Sequence, residues 1–586
     1  MCKLNTQNRI NQMKIFLILV AIGLSMKCLY AQSISEKFSH TLPFENITIK
    51  GELKTRALAN FDRLERDKYL PGNLFITEAQ SGGWPGDTEG RTILGLTLLA
   101  QATHRIPKYL DEIIQILPSK LNPQGFFGTN HKDSIAEQQL SSHGWVLRAL
   151  SEYYLWEKDP NTLSLINRMI ENLALPSAGQ HKIYPINPSE RKPAGSSSGT
   201  NSSTIGKWIV STDIGCDYIF LDGLTQVYQI KPSEPLKKLI EEMINRFLEI
   251  DLVAIKAQTH ASLTALRSLL RYYEITGNER YLEEVQKRFD IYLHEGMTEN
   301  YENYNWFGRP EWTESCAVID SYIVAFALWR FTGNTDYLEY AHRIYYNGIC
   351  FEQRFNGSFG SQNCTGSRNP FLTVEITDVN WCCTMRGGEG LARVIENLVY
   401  IQDQSITIPF FASAVVNIPF GPEHIIIEEE TKFPYNPVIK FIVKESTLNF
   451  NPEFRLYIPP YSKNLIVALN GKPLKYKKVN GFAILKEKLA KDDVITYSFV
   501  SDVYSRQVLN NNSIKGYIAF QYGPMLLGIK DTSDIKVSKN DEFTRLDSVS
   551  FKSQHSGIIF HPITHLLDSS VTKEANYKRR VLFRSF

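Results

Sequence analysis

The sequence predicts a mainly α-helical repeat, either an α/α toroid or a solenoid, followed by an all-β sandwich. Three observations predict this fold class. Apolar residues recur at helical spacing from about Arg56 to Gln402. A helix–turn–helix pattern repeats within that stretch. After about Asp403, apolar and polar residues alternate instead, as they do in strands with one buried face.

The helical repeat is clearest in two copies. Tyr273–Glu283 resembles Trp329–Glu339 in sequence. Each copy reads as the end of one helix, a Gly-Asn stop, and a second helix that opens with a tyrosine–leucine pair. Looser copies start near Leu147 and Leu221. Stacked hairpins of this kind predict a closed toroid or an open solenoid.

The second half of the chain is predicted to hold strands. Asn470-Gly471 is a typical hairpin turn within this region. We predict a β-sandwich over residues 403–509 and a second β-rich domain over residues 510–586. Phe44–Lys50 also alternates, and we expect it to join one of the later sheets. The clearest predicted strands are Ile406–Phe411, Ile425–Glu428, Val438–Val443 and Phe454–Ile458.

The N-terminus reads as a secretory signal peptide over residues 1–31. Met13-Lys14 precedes the apolar run Ile15–Leu24, and Ala31 ends a suitable cleavage site. No later run is apolar enough to predict a transmembrane segment. The sequence therefore predicts an exported protein, periplasmic or secreted.

The charge composition restricts the kinds of binding partner that the protein is expected to have. The chain has 64 Lys and Arg against 62 Asp and Glu, a net charge of +2. So balanced a charge argues against nucleic acid or anionic membrane as the main partner.

Four residues form a candidate metal site, namely Glu314, Cys316, Cys382 and Cys383. One carboxylate and three sulfurs are a ligand set that suits tetrahedral zinc. The two adjacent cysteines precede a helical pattern, and the positive end of a helix favours thiolate over thiol. The alternative is two disulfides or inert buried thiols, because an oxidising compartment permits disulfides.

The Glu-x-Cys motif at Glu314 and Cys316, followed far downstream by Cys382-Cys383 on a helical chain with a β-rich tail, resembles glycoside hydrolase family 127. These are the zinc-containing β-L-arabinofuranosidases. The resemblance extends from about Phe44 to the C-terminus. It implies an (α/α)6 toroid as the catalytic domain over residues 32–402, with Zn²⁺ as cofactor. It also implies that the Cys382 thiolate, held on zinc, is the nucleophile.

The resemblance implies further site residues. The family's acid/base glutamate lies a little over a dozen residues before the zinc-ligand glutamate, and Glu299 is the nearest match, with Glu302 as its competitor. His143 and His260 each begin a helix and look like the family's substrate-contacting histidines. A lone histidine is also a common structural residue, so both interpretations stay open at each position.

A glycine-rich loop, Ser81–Arg91, leads into a helix. It lacks the Lys-Ser/Thr of a phosphate-binding loop, which argues against nucleotide binding. One interpretation is a helix start capped by Asp87 or Thr88. The other places Trp84, Asp87 and Arg91 at the mouth of the barrel, in contact with sugar.

Together these features predict a retaining exo-glycosidase that releases L-arabinofuranose or a related sugar. Two alternatives belong to other classes. A polysaccharide lyase on the same toroid needs a proton-abstracting His or Tyr, yields unsaturated products and has no need for Cys382. A non-catalytic carbohydrate-binding protein would use zinc for structure alone and would unfold when the metal is removed.

Overall fold

The computed structural model describes residues 38–193, 199–360, 362–363, 370–374, 382–567 and 577–585. The predicted signal peptide lies outside the described residues. Within them, helices come first and strands follow, as the sequence predicts. The last long helix ends at Glu396, and strands begin again at Tyr400. The exact domain boundaries given above stay predictions.

Helices of the first part come in pairs joined by short turns. The repeat predicted around Gly277 and Gly333 is confirmed, because both glycines end a helix in the left-handed conformation. Asn278 and Asn334 then cap the next helix by accepting a backbone N–H two residues on. The long helices are α1 (Gly51–Leu64), α2 (Asp87–Thr103), α3 (Leu110–Ile116), α4 (Glu137–Glu157), α5 (Pro160–Met169), α6 (Tyr218–Ile230), α7 (Glu234–Leu248), α8 (Thr259–Thr276), α9 (Glu279–Ile291), α10 (Ser315–Thr332), α11 (Thr335–Ile344) and α12 (Cys382–Glu396).

Among the described residues, the six even-numbered helices form a closed ring. Each packs against the next, and α12 packs against α2. The odd-numbered helices lie outside, with α1 covering α12 and α2. The inner helices are buried almost all round, whereas outer helices such as α7 and α11 bury a single apolar stripe. The repeat therefore closes into a toroid-like ring instead of continuing as an open solenoid.

One helix of the described chain, α10 (Ser315–Thr332), is long and apolar enough to cross a membrane by length and composition. The sequence predicts no such run after the N-terminus, so this helix is a departure from that prediction. Most of this helix is buried inside the protein, where α8 and α12 pack against it. Its apolar character thus fits a core helix of the ring.

Two sheets follow the ring, and Phe441 and Phe454 bring them into contact, with ring centroids 6.4 Å apart. The predicted entry of the N-terminal strand is confirmed, since Ile47–Ile49 pairs with residues 414–416. In spatial order, one sheet is β1 (His40–Thr41), β8 (Tyr400–Gln402), β9 (Ser405–Ile408), β13 (Glu453–Tyr457), β17 (Phe482–Lys486) and β16 (Lys477–Val479). The other is β15 (Lys472–Pro473), β14 (Lys463–Leu469), β18 (Val494–Val500), β12 (Asn436–Ser446), β11 (Glu423–Lys432), β10 (Ala414–Phe420) and β2 (Ile47–Ile49).

A third sheet closes the chain and begins at Val503, slightly before the predicted boundary at 510. Its order is β22 (Lys536–Val537), β27 (Phe583–Ser585), β20 (Tyr517–Tyr522), β21 (Met525–Gly528), β25 (Ile559–Pro562), β24 (Phe551–Ser553) and β23 (Phe543–Arg545), with β19 (Val503–Gln507) on β20. Two small sheets consist of β3 (Ile135–Ala136), β5 (Trp208–Ser211) and β4 (Asn201–Ile205), and of β26 (Tyr577–Arg580), β7 (Phe371–Val374) and β6 (Gln362–Asn363).

Candidate active site

The four predicted metal ligands meet at one end of the helical ring. Glu314 directly precedes α10 and Cys316 lies in its first turn, while Cys382 and Cys383 begin α12. Their ligand atoms all lie within 4.8 Å of one another. Two residue pairs far apart in sequence meet because α10 and α12 are neighbours in the ring.

The geometry of this cluster fits a tetrahedral metal site. The Cys382 and Cys383 sulfurs are 3.9 Å apart, and Cys382 Sγ lies 3.7 Å from Glu314 Oε1. Two sulfurs bound to one zinc at about 2.3 Å lie about 3.8 Å apart. The five cysteines of the described chain are all free thiols, so the disulfide alternative finds no support among them. The residues present therefore fit zinc.

Cys382 differs from the other members of the cluster in exposure and charge. It is half-buried, whereas Glu314, Cys316 and Cys383 are buried. Hydrogen bonds from the Cys316 and Cys383 thiols, and then the positive charges of Arg91 and Lys68, hold the pKa of the Cys382 thiol well below its usual value. A thiolate at an accessible position is the form in which cysteine acts as a nucleophile.

Arg91 and Asp87 support this cluster from α2. Arg91 Nε donates to both oxygens of Asp87 at 2.9 Å, and Arg91 Nη1 lies 3.5 Å from Cys316 Sγ. The predicted capping role of Asp87 or Thr88 is wrong, because Gly86 is the N-cap and no side chain caps this helix. Asp87 is the first helical residue, so its carboxylate is free to orient Arg91.

Trp84 lies in the loop before α2 and is half-buried. Its indole Nε1 donates to the carbonyl of Gly199, at 3.2 Å. The glycine-rich loop is thereby joined to the segment that directly precedes β4 (Asn201–Ile205). Sugar contacts of Trp84, Asp87 and Arg91 stay predictions.

His260 lies directly beside the cluster, while its predicted sugar contact stays a prediction. Its Nδ1 is 3.6 Å from Glu314 Oε1, and its Nε2 is 3.3 Å from Asp320 Oδ2. Its ring stacks on Trp145, whose faces also meet the guanidinium groups of Arg91 and Arg386. Burial, and then these nearby arginines, lower the pKa of His260 well below its usual value. A neutral His260 therefore adjoins Glu314.

His143 does not reach the cluster through any polar atom. Its Nε2 accepts from the backbone N–H of Phe127 at 2.9 Å, and its Nδ1 lies 2.7 Å from the carbonyl oxygen of Gln139. The ring is fully buried, and burial lowers its pKa to about 4. His143 thus fastens the Phe127 loop to α4, and its predicted sugar contact stays a prediction.

Glu299, the predicted acid/base, faces the C-terminal sheet. Its Oε1 accepts from the backbone N–H groups of Leu509 and Asn510 at 2.8 and 2.9 Å, and from Ser513 Oγ at 2.5 Å. Its Oε2 accepts from Arg506 Nη1 at 2.5 Å. With both oxygens in use and the side chain fully buried, Glu299 joins two parts of the protein. Its role as the acid/base stays a prediction.

Its competitor, Glu302, lies nearer to the cluster. Glu302 and Glu352 are adjacent buried carboxyls, and Ser315, between two of the ligands, donates to Glu352. Burial, and then the charge of Glu352, raise the pKa of Glu302 well above its usual value. Burial raises the pKa of Glu352 to about 8. A hydrogen bond joins the two carboxyls, and both side chains are fully buried.

Sequence reasoning missed two residues near the cluster. Gln258 directly precedes α8, and its Nε2 donates to Glu314 Oε2 at 3.3 Å. Asp213 lies shortly before α6, and the charge of Asp213 contributes to the raised pKa of Glu314. Their positions in the sequence could have identified them. Polar residues just before an inner helix lie at the same end of the ring as the cysteines.

Solved structures similar to this chain share this architecture. One is a β-arabinofuranosidase of glycoside hydrolase family 127, with 14% identity, a TM-score of 0.68, and coverage of 94% of this chain and 98% of that chain. Another is a family 127 β-L-arabinofuranosidase from Geobacillus stearothermophilus T6, with 12% identity, a TM-score of 0.67, and coverage of 92% and 100%. Scans against protein-family models and against curated proteins give no match. The chain therefore has the fold of the family 127 glycoside hydrolases, as its Glu-x-Cys and Cys-Cys motifs predicted.

Proposed function

We propose that this protein is a retaining exo-glycoside hydrolase of family 127 that releases L-arabinofuranose or a related sugar from plant-type glycans. The observation that carries the proposal is Cys382. It is the half-buried member of a cluster that is otherwise buried, and hydrogen bonds from Cys316 and Cys383 lower the pKa of its thiol well below the usual value. The ring of six paired helices supports assigning the helical part as an (α/α)6 toroid.

The cluster would hold zinc through Glu314, Cys316, Cys382 and Cys383. When bound, zinc supplies positive charge that keeps these thiols and Glu314 ionised and fixes the sulfur positions. Burial, and then the charge of Cys382, raise the pKa of Glu314 well above its usual value. A bound cation would offset this effect and keep the carboxylate ionised. Arg91 adds a hydrogen bond to Cys316 and fixes that sulfur from behind.

In the proposed reaction, the Cys382 thiolate attacks the anomeric carbon and forms a C–S bond while the bond to the leaving oxygen breaks. A carboxylic acid gives that oxygen a proton. The resulting carboxylate then takes a proton from water, whose oxygen attacks the same carbon and releases the sulfur. Two inversions give net retention. Neutral His260 and Gln258 hold Glu314 in place during both steps.

The test is hydrolysis of aryl glycosides by the purified protein, with a β-L-arabinofuranoside first. Proton NMR of the first-formed sugar should show retention of the anomeric configuration. A cysteine-directed cyclic-sugar electrophile should modify Cys382, as seen by peptide mass spectrometry. Unsaturated products formed without Cys382 would instead support a lyase, and sugar binding without turnover would support a binding protein.

We also propose that the chain is exported, on the strength of the apolar run Ile15–Leu24 behind Lys14. N-terminal sequencing of protein recovered from an expressing bacterium should find a mature chain that begins near Gln32. An intact N-terminus in the cytoplasm contradicts it.

A further inference from the structure

Arg91 presents its guanidinium to the cysteine cluster from α2, the helix that packs beside α12. Its Nη1 donates to Cys316 Sγ at 3.5 Å, and the whole residue is 4% exposed. A buried guanidinium has to be paired, because its charge is costly away from water. Among the described residues, Arg91 donates to a carboxylate and to one of the four candidate metal ligands.

The carboxylate is that of Asp87, and it fixes the direction of the guanidinium. Arg91 Nε donates to both oxygens of Asp87 at 2.9 Å, and the two residues lie one helical turn apart on α2. Because a guanidinium is planar and rigid, holding Nε also restricts where Nη1 can point. Asp87 therefore directs the second N–H group of Arg91 to the sulfur.

Trp145 supplies the surface on which this guanidinium lies. Arg91 is 4.3 Å above the indole ring, and the His260 ring stacks on the same indole with centroids 5.7 Å apart. Trp145 is fully buried on α4. It supports Arg91, which contacts Cys316. It also supports His260, whose Nδ1 lies 3.6 Å from Glu314 Oε1. One indole therefore backs both ligands of the Glu-x-Cys motif.

The close approach of α2 to this indole depends on a glycine. A Cβ at Gly90 would lie 2.6 Å from the backbone nitrogen of Val146 and 2.7 Å from the carbonyl carbon of Trp145. Such contacts are too short for a packed interior, so any larger residue would push α2 away from α4. Gly90 directly precedes Arg91 and thereby lets the guanidinium rest on the indole.

A hydrogen bond to a ligand sulfur acts on a metal site through that ligand. Outer partners of this kind orient the ligand and tune its donor strength. Three thiolates and one carboxylate outweigh the charge of a single Zn²⁺, so the loaded cluster would keep excess negative charge. A cationic N–H donor offsets that charge at the Cys316 sulfur.

We propose that Arg91 is a positioning residue of the metal site, an inference that rests on the zinc site of the proposed function. Oriented by Asp87 and packed on Trp145, Arg91 holds the Cys316 sulfur ready for the metal. Its influence on the reaction is exerted through this ligand and not through a contact with sugar.

The test loads the purified full chain with Co²⁺ and compares Arg91→Met with the wild type. Methionine is long and apolar but donates no hydrogen bond. In the variant, the thiolate-to-cobalt absorption band should shift to longer wavelength, because a sulfur without the N–H donor gives up its electrons more readily. Competition with a chromophoric chelator should show Co²⁺ and Zn²⁺ bound about 10–100-fold more weakly than by the wild type.

Two further variants test the orientation of the guanidinium. The double variant Asp87→Asn/Arg91→Met should bind metal as weakly as Arg91→Met alone, because Asp87 acts through Arg91. Arg91→Lys keeps the charge without the planar fork. It should recover part of the metal affinity, and it replaces Arg91→Met in the test if that variant does not fold.

A matched control is Arg288→Met on the outer helix α9. Arg288 is also buried, pairs with the carboxylate of Glu284 four residues before it, and lies 5.5 Å above the ring of Phe247. This control should keep the cobalt spectrum and the metal affinity of the wild type, with its thermal unfolding recorded beside that of Arg91→Met.

Two outcomes overturn the inference. If Arg91→Met keeps the wild-type cobalt spectrum and metal affinity, Arg91 does not act on the metal site, and a raised KM alone would assign it to the sugar. If Arg288→Met changes the spectrum and affinity equally, the effect comes from general packing. A wild type that binds Co²⁺ tightly but hydrolyses no glycoside contradicts the proposed function alone, whereas a wild type that binds no metal removes the site on which both rest.

Discussion

Two buried ionic clusters occupy the helical ring, and they differ in charge balance. In the middle of the ring, Asp320 accepts from Arg267 at 2.8 Å and from Arg386 at 2.5 Å, and Glu389 accepts from Arg148 at 2.7 Å. At the end of the ring, Glu314 and three thiols gather around Cys382. The nearest arginine there is already paired with Asp87.

This difference in charge balance suggests a structural role for the central network and a chemical role for the cysteine cluster. The central network joins five inner helices, through Arg148 on α4, Asp222 on α6, Arg267 on α8, Asp320 on α10 and Glu389 on α12. Each of its carboxylates faces arginines. The cysteine cluster has an excess of acidic groups over cations, so it suits a metal ion and a nucleophile.

The largest expected effect is on activity, and it should differ between the two adjacent cysteines. Cys382→Ser should lower kcat/KM by about 10³-fold or more, because a serine hydroxyl is far less ionised than a thiol. Cys383→Ser should instead weaken metal binding, and excess zinc should restore part of its activity. Steady-state kinetics measures the loss of activity in each variant, and metal analysis measures the zinc content. The wild type should contain one zinc per chain.

The assignment fails if Cys382→Ser keeps near-normal activity or if a cysteine-directed sugar electrophile modifies Cys383. A Cys316–Cys382 disulfide in freshly purified active enzyme would exclude the zinc site.

Breaking the balanced cluster should cost stability. Asp320→Ala leaves Arg267 and Arg386 short of their shared carboxylate inside the ring. We expect the free energy of unfolding to fall by about 3–5 kcal/mol, as is usual when one partner of a buried ion pair is removed. Denaturant titration measures it, with Asp62→Ala as a control at a half-exposed ion pair to Arg105. Equal small losses in both variants would contradict a structural role for the network.

Glu299 tests whether a carboxylate with both oxygens hydrogen-bonded serves stability or catalysis. Glu299→Gln removes the charge that faces Arg506 and places an amide among four hydrogen-bond donors. We expect a loss of about 3 kcal/mol in unfolding free energy, while kcat/KM falls by the same factor for good and poor leaving groups. Thermal unfolding and the two-substrate assay measure these effects. A selective loss for the poor leaving group would instead support Glu299 as the acid/base.

The smallest effect concerns pH. The folded-state pKa of His143 is about 4, below the unfolded value of about 6.5, so the unfolded chain binds the proton first as pH falls. This contribution to stability is complete above about pH 6.5 and shrinks by about 2 kcal/mol between pH 7 and pH 5. His143→Gln should lose less stability over that range than the wild type. His342→Gln is the matched variant, because burial also lowers the pKa of His342 to about 4. Identical slopes for the wild type and both variants would contradict these pKa values.

Much of the fold followed from local sequence. Gly277 and Gly333 end helices because glycine adopts the left-handed conformation at no steric cost, and the asparagines after them cap the next helices. Alternation predicted the later strands, and Asn470-Gly471 lies at the hairpin between β14 and β15. These signals act over a few residues, so they can be read without the tertiary structure.

In the site, the sequence alone determined the ligand chemistry, because Glu314, Cys316 and the adjacent cysteines supply zinc-type donors whatever the fold. Only the tertiary structure decided which polar residues join them. Glu299 and Asp213 are both buried carboxyls, yet Glu299 accepts from backbone groups in the segment after β19, some two hundred residues later, whereas Asp213 accepts from the nearby Gly199. Hydrogen-bond partners so distant in sequence leave no local pattern, since ring closure and docking of the C-terminal sheet set them.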